Sequence, residues 1–296
     1  MNSFILFPVI FAILVPNICD ARPRSYCPQI SDGQVVGTVT NPEIDEASGL
    51  VASQVNPDAF WTLNDSGGPP CLYALATDGN LRMKLCLEGA HNYDWEAIAT
   101  APCQPNGNQM CLYIGDIGDN RYERSYIKVY KIPEPILATE PQSLKNSEDW
   151  QVVKYTYPDH AHNAESMLID AKSRQLVIPT KSDPQAKVFQ GDLDVENGGT
   201  EAMEDTGIRL DLRLATDASA SADGQVIIIR MYQGAFLWPR GDRESSIVDK
   251  LRGQECLVSV GMQRQGESVA LNPSGTSYYT HSEFVNENIY RYDIFQ

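Results

Sequence analysis

The sequence predicts an all-β protein, specifically a five-bladed β-propeller, and three observations carry that prediction. No stretch of useful length shows the 3.6-residue apolar period of an amphipathic helix, whereas short runs rich in Val, Ile, Tyr and Thr alternate with Gly, Pro, Asn and Asp clusters. One pattern occurs five times: a small or acidic opening, a short apolar segment, a turn, and a second apolar segment ending in polar residues. The openings recur about every 50 residues, which suits a four-stranded propeller blade with its loops.

The units open, in order, at "ASGLVAS" (Ala47), "EAIATAP" (Glu96), "ESMLIDA" (Glu165), "DASASAD" (Asp217) and "ESVALNP" (Glu267). Their second segments are "AFWTLNDSG", "CLYIGDIGDN", "LVIPTKSD", "VIIIRMYQG" and "SYYTHSEF". Further strands are visible in "LYALATDGNLRMKLCLEG", a hairpin of the first unit, and in "IKVYKIPEP" and "WQVVKYTYP", which complete the second. The second interval is longer, about 70 residues, because it holds the polar, proline-bearing "EPILATEPQSLKNSED"; a sixth blade there is the alternative. The last unit shows three strands, and the spare N-terminal strand at Gln34 to Thr40 would join it as the fourth, closing the ring so that no edge stays open.

Phe4 to Val15 is a run of about a dozen apolar residues followed by Pro16 and the small residue Ala21, the pattern of a signal peptide spanning 1–21. The run is shorter than the roughly 20 residues a bilayer requires, and no later segment approaches that length. The expectation is a secreted, extracellular protein with residues 22–296 as a single propeller domain, no membrane span, and a monomeric state. Cleavage would remove one of seven cysteines and leave six, read as three disulfides in an oxidising compartment. Cys71 and Cys86 lie equidistant from the turn "TDGN", Cys103 and Cys111 flank "QPNGNQM", and Cys27 pairs with Cys256 by elimination. A formal net charge of −16 with no basic run disfavours nucleic acid and anionic membrane surfaces as partners.

In a propeller the inner strand of each blade starts where the second strand ends, so two polar columns should meet at one face. The inner-strand column reads Ser48, Glu96, Glu165, Asp217 and Glu267. The other reads Asn64 and Asp65; Asp116, Asp119 and Asn120; Lys181 and Asp183; Arg230; His281 and Glu283. Turn chemistry alone could account for Asp65, Asp119, Asn120 and Asp183, and the glycines of "GDIGDN" would let the backbone turn sharply there. Glutamates at matching repeat positions are not turn formers. Clustered carboxylates raise one another's pKa unless a cation compensates them, and calcium, with six to eight oxygen ligands, is the simplest such cofactor.

Lys181 and Arg230 occupy matching positions in adjacent units, either as structural partners of the acidic column or as an anion clamp. Asp116 or His281 could act as a base. The four histidines lack HExxH spacing, which disfavours zinc, and no GxSxG, Walker or dinucleotide motif is present. The sequon "NDS" at Asn64 falls inside this predicted site, where a glycan would block the face.

"LNDSGG", "DWEAIA", "LYIGDIGDN" with "KIPEP", and "DASASADGQVIIIRMYQGAFLW" resemble an uncharacterised family of secreted propeller-type proteins of bacteria and invertebrates, which implies the propeller and no activity. In layout the chain is also similar to the calcium-activated nucleotidases (soluble apyrases), five-bladed proteins with a calcium ion on the axis. That resemblance implies Ser48, Glu96, Glu165 and Glu267 as metal ligands, with Asp217 in the fourth-blade place where that family tends to use serine. It implies Lys181 and Arg230 as phosphate-binding residues.

Three functions follow as expectations. One is a calcium-dependent hydrolase of a small anionic, phosphate-type substrate, with Asn64, Asp65, Lys181 and Arg230 contacting substrate and Asp116 or His281 handling the proton. Another is a non-catalytic binding or matrix protein that holds an extracellular ligand on the same face. The third is a glycosidase using two axial carboxylates.

Overall fold

The computed structural model describes residues 27–140, 142–181, 184–241 and 244–295. The expected leader, residues 1–21, and Asp183 lie outside the described residues. The described chain forms five blades around one axis. The innermost strands are Ala47–Ala52, Trp95–Pro102, Leu168–Asp170, Ala215–Ala220 and Ser268–Leu271. They are buried over most of their length, and those of blades 1 and 4 are rich in Ala, Ser and Gly, because five strands converging on an axis leave little room. A Cβ at Gly49 would meet the backbone nitrogen of Ile98 at 2.8 Å, so blades 1 and 2 approach as closely as they do only without a side chain there.

Strands become amphipathic outward. Leu81–Leu87 and Gln151–Thr156 alternate buried and accessible residues, the period-2 pattern of a strand with one solvated face. The apolar faces of neighbouring blades pack together, as where Trp61, Leu63 and Leu72 of blade 1 cluster with Trp95, Ile98 and Ile114 of blade 2.

The long second interval does not form a sixth blade. Its strand Gln142–Ser147 returns to blade 1 and pairs in parallel with Leu81–Leu87, adding a fifth strand to that sheet. Thr200–Ala202 likewise pairs in parallel with Gln151–Thr156 of blade 2. Each addition covers a sheet edge that would otherwise expose unpaired backbone groups.

The ring closes as expected. Gln34–Val39 lies antiparallel to Glu287–Phe295, the outermost strand contributed by the C-terminal segment, and Gln29–Ile30 pairs with the far end of that same strand. Cys27–Cys256 links this N-terminal segment to the outer strand of blade 4, Cys256–Val258. Cys71–Cys86 bridges the outer strands of blade 1, and Cys103–Cys111 staples the base of the first hairpin of blade 2. Helix is confined to Ile247–Leu251 among the described residues, and none of it is long and apolar enough to cross a membrane.

Candidate metal centre

The two polar columns meet where the strand pairing requires. Ala47 faces Asn64, Trp95 faces Asp116, Asp217 faces Arg230 and Ser268 faces His281, one such pair at the same end of the innermost hairpin of blades 1, 2, 4 and 5. Their contacts then sort these residues into two layers with different roles.

The deeper layer is structural in its contacts. Asp217 is fully enclosed: its Oδ2 accepts from the backbone N–H of Leu50 in blade 1 (3.2 Å) and of Val269 in blade 5 (2.8 Å), and its Oδ1 from Ala218 (2.8 Å). One carboxylate thus ties three blades together, although burial pushes its pKa well up. Arg230, also fully enclosed, donates to the carbonyls of Gly266 and Ser268 (3.0 Å each) and to Gln263 Oε1 (2.7 Å). His281 is buried beside it, and burial together with Arg230 lowers its pKa to about 4, so it is neutral at physiological pH.

Asp116 is likewise sealed. Its Oδ1 lies 2.8 Å from Arg124 Nη2 and its Oδ2 4.0 Å from Lys128 Nζ, while burial raises its pKa against both cations. Asn64 is buried too, with Nδ2 donating to the Glu43 carbonyl at 2.7 Å, so the nitrogen that would carry a glycan points into the fold. Ser48 donates to the Glu96 carbonyl at 2.8 Å and to Glu96 Oε2 at 3.1 Å, orienting that carboxylate.

The upper layer is an acidic cluster. Carboxylate oxygens of Asp65, Asp94 and Glu96, one from each residue, lie within 4.8 Å of one another. Burial and then the neighbouring Asp65 push Asp94 up to about 6. Burial, followed by Glu165, Asp65 and Asp94, drives Glu96 well above its ordinary value. Glu283 is pushed up to about 7 by burial, then by Glu267, Asp65 and Glu46. Asp65 also raises Glu165, and so repels carboxylates contributed by blades 2, 3 and 5.

Lys181 compensates part of this charge. Its Nζ is 2.5 Å from both Glu165 oxygens, 2.9 Å from the Tyr232 hydroxyl and 5.0 Å from the Tyr232 ring centre. Burial lowers the Lys181 pKa, but Glu165 outweighs it and holds the ammonium above its ordinary range; contact with both oxygens is the geometry of a charged pair. Glu267 accepts from Gln265 Nε2 at 3.2 Å through Oε1, while its buried Oε2 has no hydrogen-bond partner.

Two features of this cluster fit an oxygen-ligated cation. The donors are hard carboxylates. A Cβ at Gly118 would stand 2.4 Å from Asp94 Oδ2 and 2.7 Å from Glu96 Oε1, so glycine preserves open space between two of the three donors. That is the role of Gly118 in "GDIGDN". Neither it nor Gly115 has positive φ, so their value lies in close approach to other groups and not in sharp turning.

Of the sequence-predicted residues, the structure brings Asp65, Glu96, Glu165, Lys181 and Glu267 to this layer and keeps Ser48 behind Glu96. It places Asp116, Asp217, Arg230, His281 and Asn64 in enclosed hydrogen-bonded or packed positions. Asp94 was not singled out; it stands in the bend just before strand Trp95–Pro102, and its place two residues ahead of Glu96 in "DWEAIA" was the signal available. Tyr232 had a positional signal, as an aromatic residue two places after Arg230 at the end of an apolar segment, whereas Gln265 had none.

No protein-family model and no curated protein sequence matches the chain. Solved structures similar to it include a candidate 6-phosphogluconolactonase from Bacteroides uniformis, at 12% identity and TM-score 0.39, covering 85% of this chain and 67% of that one. A chain in the crystal structure of a nidogen/laminin complex is similar at 10% identity and TM-score 0.42, covering 81% of this chain and 73% of that one.

Proposed function

We propose that this is an extracellular calcium-binding propeller whose axial ion, held by Asp65, Asp94 and Glu96, presents open coordination positions to a small ligand. The convergence of three carboxylates around the space kept free by Gly118 carries the reading. Calcium is the cation of choice because a large ion tolerates irregular, all-oxygen sites. The apolar leader and three disulfides support secretion. Without the ion, the acidic surplus would repel an anionic ligand; with it, the face becomes a receptor for a carboxylate, phosphate or sugar hydroxyl.

One observation favours a second reading, a metal-dependent hydrolase of a phosphate-type substrate. Glu283, titrating near 7 beside the cluster, is suited to take a proton from water at neutral pH. In that reading the bound cation would supply charge stabilisation, and Glu283 would replace Asp116 and His281 as the base because both of those are enclosed.

Calcium titration by calorimetry tests the proposal. One-to-one binding that is lost in Glu96→Gln and Asp65→Asn is expected, together with a higher melting temperature in calcium than in chelator. Absence of binding to the unmodified chain would overturn it. Release of phosphate from nucleoside polyphosphates, dependent on calcium and lost in Glu283→Gln, would favour the hydrolase reading.

A further inference from the structure

A second cluster of ligating side chains lies apart from the acidic one, on the connection from strand Gln151–Thr156 of blade 2 to strand Leu168–Asp170 of blade 3. The segment reads Asp159-His160-Ala161-His162 and holds two of the four histidines. His162 Nε2 is 2.9 Å from Asp159 Oδ1, and His160 Nδ1 is 3.3 Å from Asp159 Oδ2. The three ligating atoms available from these residues lie within 4.8 Å of one another.

Local chemistry explains why the rings converge. His162 is buried, with its ring 4.9 Å from both the Tyr157 and Phe189 rings, so packing fixes its orientation. His160 stacks obliquely on it at 4.3 Å but keeps most of its side chain in solvent. Asp159 accepts the backbone N–H of His160 at 2.9 Å, which holds the carboxylate over its own segment. One ligand is thus rigid, one is oriented by the backbone, and one is free to swing inward.

We propose that Asp159, His160 and His162 form a binding site for a borderline divalent transition ion of the zinc class, independent of the axial cluster. Two imidazoles and one carboxylate are the donor set such ions prefer, whereas calcium takes oxygen alone. Tetrahedral bonds of about 2.0–2.2 Å require donors spaced roughly 3.3 Å apart, and one donor atom from each of the three residues already lies within 4.8 Å of the others, with the exposed His160 able to close the remaining gap. With three protein donors, a fourth position would remain open to solvent or ligand. Lys187 Nζ sits 2.8 Å from Asp159 Oδ2 and is the counter-cation that an incoming metal would displace.

This competition makes the site testable without any assumption about catalysis or the axial ion. The purified chain, carrying no polyhistidine tag, is titrated with cobalt(II) and then zinc(II), following the visible absorption of the cobalt complex. One equivalent of cobalt producing a ligand-field band, displaced by zinc and unaffected by excess calcium, is expected. His160→Ala, at an exposed position that should not disturb folding, and Asp159→Asn should each weaken binding at least about tenfold, since losing even an outer-shell partner does that. Lys187→Met should tighten it. Asp65→Asn/Asp94→Asn should leave it unchanged. No cobalt band, or a band indifferent to His160→Ala, would overturn the proposal, as would loss of the band in the axial double variant.

Discussion

Lys181 Nζ contacts both oxygens of Glu165 at 2.5 Å, and this pair is the hinge of the axial charge balance. Both side chains are largely buried, so neither partner can fall back on water if the other is removed. The pair also decides what Lys181 can do: an ammonium bound to a carboxylate and to the Tyr232 hydroxyl is a compensating charge within the cluster.

Lys181→Met should therefore destabilise the protein by about 3–5 kcal/mol, the usual consequence of leaving a buried charge unpaired. For a domain of this size that corresponds to a fall in Tm of roughly 6–20 °C. Adding Glu165→Gln to Lys181→Met should recover much of the loss, because the unpaired charge is then gone. A double variant no more stable than Lys181→Met would show that the pair is not the source of the effect.

Stability should fall with rising pH above about 6.5 when the protein is kept in chelator. Glu283 titrates near 7 in the folded chain, above its ordinary value of 4.5, so the folded state binds more protons than the unfolded one up to that point. Its stabilising contribution is complete below the unfolded pKa and is lost as pH rises through the folded one. Asp94, near 6, acts in the same sense at lower pH. His281 opposes both between about 4 and its ordinary 6.5, because the unfolded chain protonates it there and the folded chain does not. Melts between pH 6.5 and 8 should show this slope reduced in Glu283→Gln, with the remainder carried by other carboxylates that burial raises, Glu96 among them. Saturating calcium should flatten it as well, since the ion competes with protons for the cluster.

Asp94→Asn and Gly118→Ala should both weaken calcium binding, but by separable routes. Asp94→Asn removes a ligand and a repulsive charge, so the chelated protein should gain about 1 kcal/mol after allowance for solvent screening of a half-buried group. Gly118→Ala leaves every charge in place and fills the space between Asp94 Oδ2 and Glu96 Oε1. It should cost at least about tenfold in affinity, one step of 1.4 kcal/mol, with no gain in the stability of the chelated form. Unchanged calorimetry for Gly118→Ala would place the ion elsewhere.

Arg230 should prove structural. Its three hydrogen bonds run to two carbonyls and a glutamine side chain inside a fully buried pocket, where burial lowers its pKa to about 10. Arg230→Ala should cost about 3–5 kcal/mol by stranding those acceptors and leaving Glu267 less compensated. Arg230→Lys should not restore the loss, since an ammonium cannot reproduce the guanidinium fork. Calcium stoichiometry measured on whatever fraction stays folded should remain one-to-one. Weakened ligand or calcium binding at full stability in Arg230→Lys would contradict this assignment.

Much of the architecture was legible before any coordinates. Five similar units about 50 residues apart, each with an apolar inner strand, dictate five blades because every unit must bury the same faces against its neighbours. The N-terminal closing strand followed from an open edge needing a partner, and Cys71–Cys86 followed from hairpin register. The destination of Gln142–Ser147 was not legible, because a short polar strand has no pattern that says which edge it will cover.

Local pattern also determined that carboxylates would gather at one mouth of the ring, since strand alternation and hairpin geometry place the column. It could not say which of them would share a space. Asp65, Asp94 and Glu96 meet across two blades, while Asp217 at an equivalent repeat position is consumed by backbone N–H groups from blades 1, 4 and 5. Lys181 and Arg230 likewise match in sequence but differ in fate, one at the charged cluster and one sealed beneath it. Depth below the surface and the neighbours supplied by other blades set solvation and pairing, and both arise only when segments distant in sequence are packed side by side.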